Sequence, residues 1–492
     1  MTLTVIGIYL LLVLCVGALS HRLFRGTSED YFVASRTIGP FLLLMSLFGT
    51  NMTAFAILGA SGEAYHEGIG VFGLMASSSA LIIPSVFFFV GTRLWALGKR
   101  HGFMTQVQYF RARWDSSWLG LVLFVVLIGL LVPYLLIGVM AGGLTMNQIT
   151  QGQVPEWIGG LVVCVVVMTY VCYGGLRGTA WANAFQTLVF MILGGVTFYV
   201  IVDAVGGLSG ALDRIAAKHP ELLIRGEKIQ PIRLLTYTCI PLSVGMFPHM
   251  FMHWLTARRA SAFRTPLMVY PLCIAAVWIP SVLLGILGHL DFPGLKGAAA
   301  NSVLVRMIHL HAPELLAGLL AAGVFAAVMS SLDSQVLSIG TMFTQDIVRH
   351  YGLRERMSER AQVIYGRVFV AGVLLVTYLI SLVSARSIFK LGIWSFTGFA
   401  ALFPVVFAAL FWRRSTKYGA LASILTVAAL WLYFFSQGWE SPGYTVGGAG
   451  IMPVAVILAA SALAMVVGSL LTQPPRREVV DRFVAPAAGP AA

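Results

Sequence analysis

The sequence predicts an all-α polytopic membrane protein of about thirteen transmembrane helices, ten of them in two inverted five-helix repeats. Three observations point there. The 492 residues are 58% hydrophobic and 10% charged, where a soluble domain carries roughly a quarter charged residues. Apolar stretches long enough to cross a bilayer recur from end to end, and they are continuous, which excludes the alternating pattern of a membrane β-barrel. Two of these stretches are interrupted by helix-breaking residues, and they lie five spans apart.

The expected spans cover about 2–20, 39–60, 68–95, 117–145, 156–175, 178–204, 233–256, 265–290, 313–347, 362–384, 388–412, 416–437 and 449–471. The first carries Arg22 and Arg25 after its apolar core. A signal peptide has its charge before that core, so the stretch reads as a retained helix. The first helix and an inner loop occupy 1–38, and the first repeat 39–204. An outer loop at 205–232 leads to the second repeat at 233–412. Two peripheral helices follow within 413–472, and the Pro/Ala-rich 473–492 reads as a disordered cytoplasmic tail.

The net charge of +13 is no nucleic-acid signature, because the basic residues sit in short clusters between apolar spans. With the N-terminus outside, the inner segments hold 23 of the 32 Lys and Arg. That bias orients the N-terminus outside and the C-terminus in the cytoplasm, across the plasma (bacterial inner) membrane. The five cysteines lie in or beside apolar spans without metal-type spacing and read as small core residues. No nucleophile set, metal cluster or phosphate loop stands out, so an enzyme is not expected, nor any cofactor.

The second span breaks at "LFGTNMTAF", where Gly49, Thr50, Asn51 and Thr53 interrupt the apolar pattern. The seventh breaks at "CIPLSVGMFPHMF", with Pro241, Gly245 and Pro248. Proline removes a backbone donor and clashes with the preceding turn, which frees carbonyls and helix ends. Equivalent breaks in two units of odd helix number mark inverted repeats and a transporter's binding site.

"GVFAAVMSSLDSQVLSIG", residues 323–340, places polar groups inside the ninth span. Helix geometry sets the carbonyl of Ala327 beside the hydroxyls of Ser330 and Ser331. Ser334 and Ser338 extend the stripe, and Asp333 flanks it. Neutral oxygens on one face are half a site for a hard monovalent cation. Free carbonyls at Gly49 and Met52, in the broken span, would supply the other half. Membrane serines also bond their own i−4 carbonyl or help helices pack closely. An intramembrane carboxylate is costly and points to function. The sequence leaves Asp333 three roles: tuning the ion, carrying a proton, or anchoring the helix.

Three strings, "SEDYFVASRTIGP", "YGGLRGTAWANAFQ" and "AAVMSSLDSQVLSIGTMFTQDI", resemble the sodium:solute symporters of the sodium/glucose, sodium/proline and sodium/pantothenate type. The resemblance spans roughly residues 25–415, and the last string, with Thr344 and Asp346, is its most specific part. It implies a leucine-transporter-like 5+5 inverted repeat in the lipid bilayer, carrying a small organic solute with sodium. It further implies sodium ligation by the hydroxyls of Ser330 and Ser331 and the carbonyls of Gly49, Met52 and Ala327. Asp333 and Ser334 would tune that ion. The chain is expected to act as a monomer.

Departures from the family pattern narrow the expectation. Asn183 stands where members with a second sodium resemble W-x-D-x-x-Q, which implies one sodium per solute. Asn51 stands where proline carriers have Asp, and Ala56 and Met75 where sugar carriers have Gln and Glu. A hexose would therefore lose hydrogen bonds. The expected solute lining is Thr53, Phe55, Ala56, Met75, Ser77, Ser78, Ser243, Met246, Phe247, Trp394, Phe396 and Thr397. It suits a compact, partly apolar solute, whose carboxylate, if it has one, would face the positive half-helix ends. His249 and His253, spaced i, i+4, lack a third metal ligand and read as structural or pathway residues. Glu63, His66 and Glu67 read as an outer loop, and Arg177 as an orienting charge. Two other functions remain open: proton-coupled symport through Asp333, and a transporter-like solute sensor.

Overall fold

The computed structural model describes residues 2–22, 36–226, 229–351, 359–384, 387–438 and 444–484. The inner segments 23–35 and 352–358 and the last eight positions, 485–492, lie outside the described residues, as do the side chains of Cys172 and Arg177. Among the described residues, nine helices are long and apolar enough to cross a membrane, and two bent pairs raise this to eleven. Two shorter apolar helices, Thr2–Val16 and Glu156–Val171, lie at the other two expected places. The second of them runs on into the sixth span as one helix, Glu156–Ala204.

Both expected breaks are present. Pro40–Asn51 meets Phe55–Glu67 at 59°, and Pro231–Gly245 meets Pro248–Leu255 at 51°. In the first, Met52 adopts extended backbone (φ −87°, ψ 91°). The outer half then starts where Thr53 Oγ1 accepts the Phe55 N–H at 3.0 Å, as a helix-capping hydroxyl does. In the second, Phe247 is extended (φ −67°, ψ 122°), and Pro248 takes the first helical position, where its missing N–H costs nothing. The ninth span, Glu314–Val348, is the centre of the bundle: 83% of its most apolar window is buried. It packs on the first helix, on Ser117–Ile149 and on Glu156–Ala204, so its polar stripe faces protein rather than lipid.

The side that the charge pattern assigns to the cytoplasm, called inner below, is heavily cross-tied. Ile38 N–H donates to Thr256 O and Arg258 N–H to Ile38 O, both at 3.0 Å, which clasps the entry of the second span to the exit of the seventh. Beside this clasp the Arg36 guanidinium reaches Gly98 O at 3.1 Å, Phe103 O at 3.2 Å and Leu255 O at 3.4 Å. The inner-loop helix Gln106–Trp114 is capped by Thr105. From it the fully buried Arg113 donates to Ala409 O at 2.9 Å and Trp412 O at 3.2 Å. These carbonyls end the helix Phe403–Phe411 and have no partner within it.

One expectation fails at the C-terminus. Within the stretch read as a disordered tail, Arg477–Val484 forms a helix with Val480 and Phe483 buried. Three-residue spacing puts that pair on one face, and the flanking Pro/Ala composition hides it in the sequence.

Candidate ion and solute site

Gly49 sets the position of the broken second span. A Cβ there would stand 2.1 Å from Thr187 Oγ1 and 3.2 Å from Asn183 O, so only glycine lets the span press its backbone onto Glu156–Ala204. On the opposite side Ser330 Oγ lies 2.9 Å from Gly49 O and 3.1 Å from Ala327 O. One hydroxyl proton thus faces two carbonyls, and a cation among the three oxygens would draw on all their lone pairs. Ser331 Oγ donates to Val328 O at 3.1 Å within its own helix. Met52 is buried in the extended segment between the half-helices. Gly49, Ala327 and Ser330 are therefore in mutual contact, while the Ser331 hydroxyl bonds its own helix.

Asp333 is fully buried and doubly bonded. It accepts from Tyr170 Oη at 3.0 Å and from Ser334 Oγ at 3.1 Å. Ser334 in turn accepts from Asn183 Nδ2 at 2.8 Å and contacts His253 Nε2 at 3.0 Å. Because the Ser334 proton goes to Asp333, His253 must donate from Nε2, and the hydroxyl is saturated. The cluster joins the ninth span, two points in the middle of Glu156–Ala204 (Tyr170 and Asn183) and the second half of the seventh span. Sequence reasoning missed Tyr170 and the meeting of His253 with Ser334, since neither partner is local.

The region where the sequence leads one to expect the solute is a cluster of aromatic rings. Phe396 lies 5.0 Å from Phe55, 5.7 Å from Phe247 and 5.0 Å from Tyr134 between ring centroids. His249 stacks on Phe247 at 5.0 Å. The Tyr134 hydroxyl and both His249 ring nitrogens are buried with no hydrogen-bond partner among the described residues. Buried polar atoms without a protein partner are free to bond a solute or water that reaches them. Ala56, Met75, Ser243 and Thr397 are buried in the surrounding helices, and Ser78 bonds its own Leu74 carbonyl at 3.4 Å. Two expected lining residues fall elsewhere. Ser77 is exposed, and the Trp394 ring packs on Phe435 at 5.5 Å and on Tyr444, towards the peripheral helices.

A His249→Leu chain is expected to lose solute uptake severalfold while sodium still stabilises it in a thermal shift. Loss of both responses would mean that the imidazole supports the fold rather than the solute.

At the outer end, Glu63 is not a free loop residue, for it pairs with Arg233 at 3.7 Å and ties the two broken spans together. His66 Nε2 contacts Gly297 O at 3.2 Å. Just beyond the eighth membrane helix, which ends at Leu287 rather than at the expected 290, burial holds His289 below the ordinary histidine range, with its ring stacked 3.8 Å from Tyr65.

Two discontinuous helices at matching positions, one meeting the ninth span at Ser330 and the other at Ser334, are the arrangement of a secondary transporter. Residues 31–426 match the sodium:solute symporter family, and the chain belongs to it; it is a transporter and not an enzyme. Relatives include a sodium/proline symporter of Escherichia coli, 24% identical, with 93% of each chain covered. A sodium/pantothenate symporter of the same organism is 25% identical over 90% of each chain. Among solved structures, a Na+-coupled sialic acid symporter superposes with a TM-score of 0.80 at 15% identity, over 96% of this chain and 98% of that one. A nucleobase-cation-symport-1 family transporter gives 0.60 at 14% identity, over 93% and 98%. The fold is the leucine-transporter-like one.

Proposed function

We propose that this chain imports a small organic solute together with sodium by alternating access across the plasma (bacterial inner) membrane, N-terminus outside. The observation that carries the proposal is the Ser330 hydroxyl bridging the Gly49 and Ala327 carbonyls at 2.9 and 3.1 Å, across the break and the ninth span. Sodium replaces that hydrogen bond with shared ligation by Gly49, Met52, Ala327, Ser330 and Ser331. It thereby ties the broken span to the bundle and favours one conformation. The solute is compact and partly apolar. Its body rests on the Phe55, Phe247 and Phe396 rings, and its polar end meets His249 and Tyr134. A hexose would leave hydroxyls unpaired against Ala56 and Met75. Asn51, spent on the Tyr270 hydroxyl at 2.7 Å, speaks against a proline-type solute.

Asn183, a neutral amide, supports one sodium per solute. Asp333 supports a second reading, with a proton as the coupling ion, because its carboxylate sits in the same hydrogen-bonded cluster as Asn183. The two are separated in proteoliposomes, using a small carboxylate first selected from a solute library by sodium-enhanced thermal stabilisation. An inward sodium gradient is expected to drive uptake by itself. Uptake under an inside-alkaline pH gradient without sodium would overturn sodium coupling in favour of the proton.

A further inference from the structure

We infer that the C-terminal helix Arg477–Val484 is a latch that holds the inner-loop helix Gln106–Trp114 across the cytoplasmic exit, and so keeps the inner side closed. The inference rests on the alternating-access proposal above and adds a control element outside the ion and solute sites.

The inner-loop helix is bonded to the two elements that must separate when the inside opens. Thr105 Oγ1 donates to Asp346 Oδ2 at 2.7 Å, and Arg111 Nη1 lies 3.5 Å from Asp346 Oδ1. Asp346 is buried at the inner end of the ninth span, the helix that carries Ser330. Gln106 Nε2 donates to Met246 O at 3.1 Å, in the break of the seventh span. A buried carboxylate keeps hydroxyl and guanidinium partners only while their helix stays in place. Beside the helix lies an open cleft of about 430 Å³ lined by His101, Phe103, Arg111, Ser117 and His350.

Behind the inner-loop helix, the C-terminal helix adds to the anchor that Arg113 makes on Ala409 O and Trp412 O. The Phe483 ring sits 5.2 Å from His101, 5.9 Å from Tyr109 and 6.2 Å from Phe103. Asp481 pairs with Arg413, just past the end of the eleventh span. The latch therefore bridges the peripheral end of the second repeat and the inner loop of the first. Eight residues are too few for a stable isolated helix, so the latch exists by virtue of these contacts. Its release is a local event of modest free energy, the scale that biases a two-state equilibrium without unfolding the bundle.

The test uses the full chain in lipid nanodiscs, with its five native cysteines replaced by alanine. Gln345→Cys, buried beside the inner-loop helix at the inner end of the ninth span, reports opening on the inside and Glu67→Cys on the outside, each read by its rate of reaction with a charged maleimide. Phe483→Ala is expected to speed labelling of the inner reporter roughly fivefold or more without sodium, and to slow the outer one. Unchanged rates would overturn the latch, and so would faster labelling of both reporters, which is the signature of loosened folding. Sodium should slow the inner reporter in the chain that retains Phe483. If it does not, sodium-linked alternation fails, while the sodium-free comparison still decides the latch.

Discussion

Replacing Ser330 by alanine is expected to raise the sodium concentration for half-maximal uptake roughly ten- to a hundredfold, equivalent to about 1.5–3 kcal/mol for a polar group lost from a charge. The same substitution removes the 2.9 Å bond to Gly49 O, so thermal stability without sodium should fall as well. Ser331 makes the instructive contrast. Its hydroxyl bonds only its own helix at Val328, so Ser331→Ala should weaken sodium dependence and leave the sodium-free melting temperature nearly unchanged. Flux measured against sodium concentration, with melting curves run in parallel, separates the two. An unaltered sodium requirement in Ser330→Ala would remove this cluster from the coupling mechanism.

Gly49→Ala is expected to be almost as severe, for a steric reason. The new methyl meets Thr187 Oγ1 at 2.1 Å, and that hydroxyl is held by its 3.1 Å bond to Met45 O. Either the bond breaks or the span backs away and carries Gly49 O from Ser330. Overpacking of this kind typically costs about 1–3 kcal/mol. Gly49→Ala/Thr187→Ala should recover part of the sodium affinity, because the 2.1 Å contact is removed and the Thr187 Cβ contact of 3.5 Å is ordinary, while the Asn183 carbonyl at 3.2 Å still crowds the methyl. A double variant as impaired as the single one would show that the defect is not this contact.

The two breaks were readable because proline and glycine act locally and leave the same mark wherever they stand. The hydroxyl stripe was readable because helix geometry fixes which side chains flank a given carbonyl. Partners from distant spans were not. Nothing near Ser334 in sequence announces His253 or Asn183, and Tyr170 looks like any aromatic in an apolar span. Trp394 is different, because its misplacement was avoidable. Phe389, Phe396 and Phe399 recur at helical spacing on one face of Ile388–Ala401, with Gly392 beside Phe55. A residue two positions from Phe396 lies about 200° around the helix and so points away from the aromatic cluster. The latch helix was masked by composition, since Pro474, Pro475 and the alanines that follow it outweigh four well-placed apolar residues.

The clasp at Ile38 bears on how tightly two flows can be geared to each other. Ion and solute cross together only if no single gate swings alone, and a machine with two independent levers slips. Ile38, Thr256 and Arg258 join the inner roots of both broken spans through backbone hydrogen bonds, with Arg36 riveting the junction to Gly98 and Phe103. Two levers are thereby reduced to one degree of freedom. Fidelity of symport would then rest partly on a few main-chain atoms that never meet either passenger.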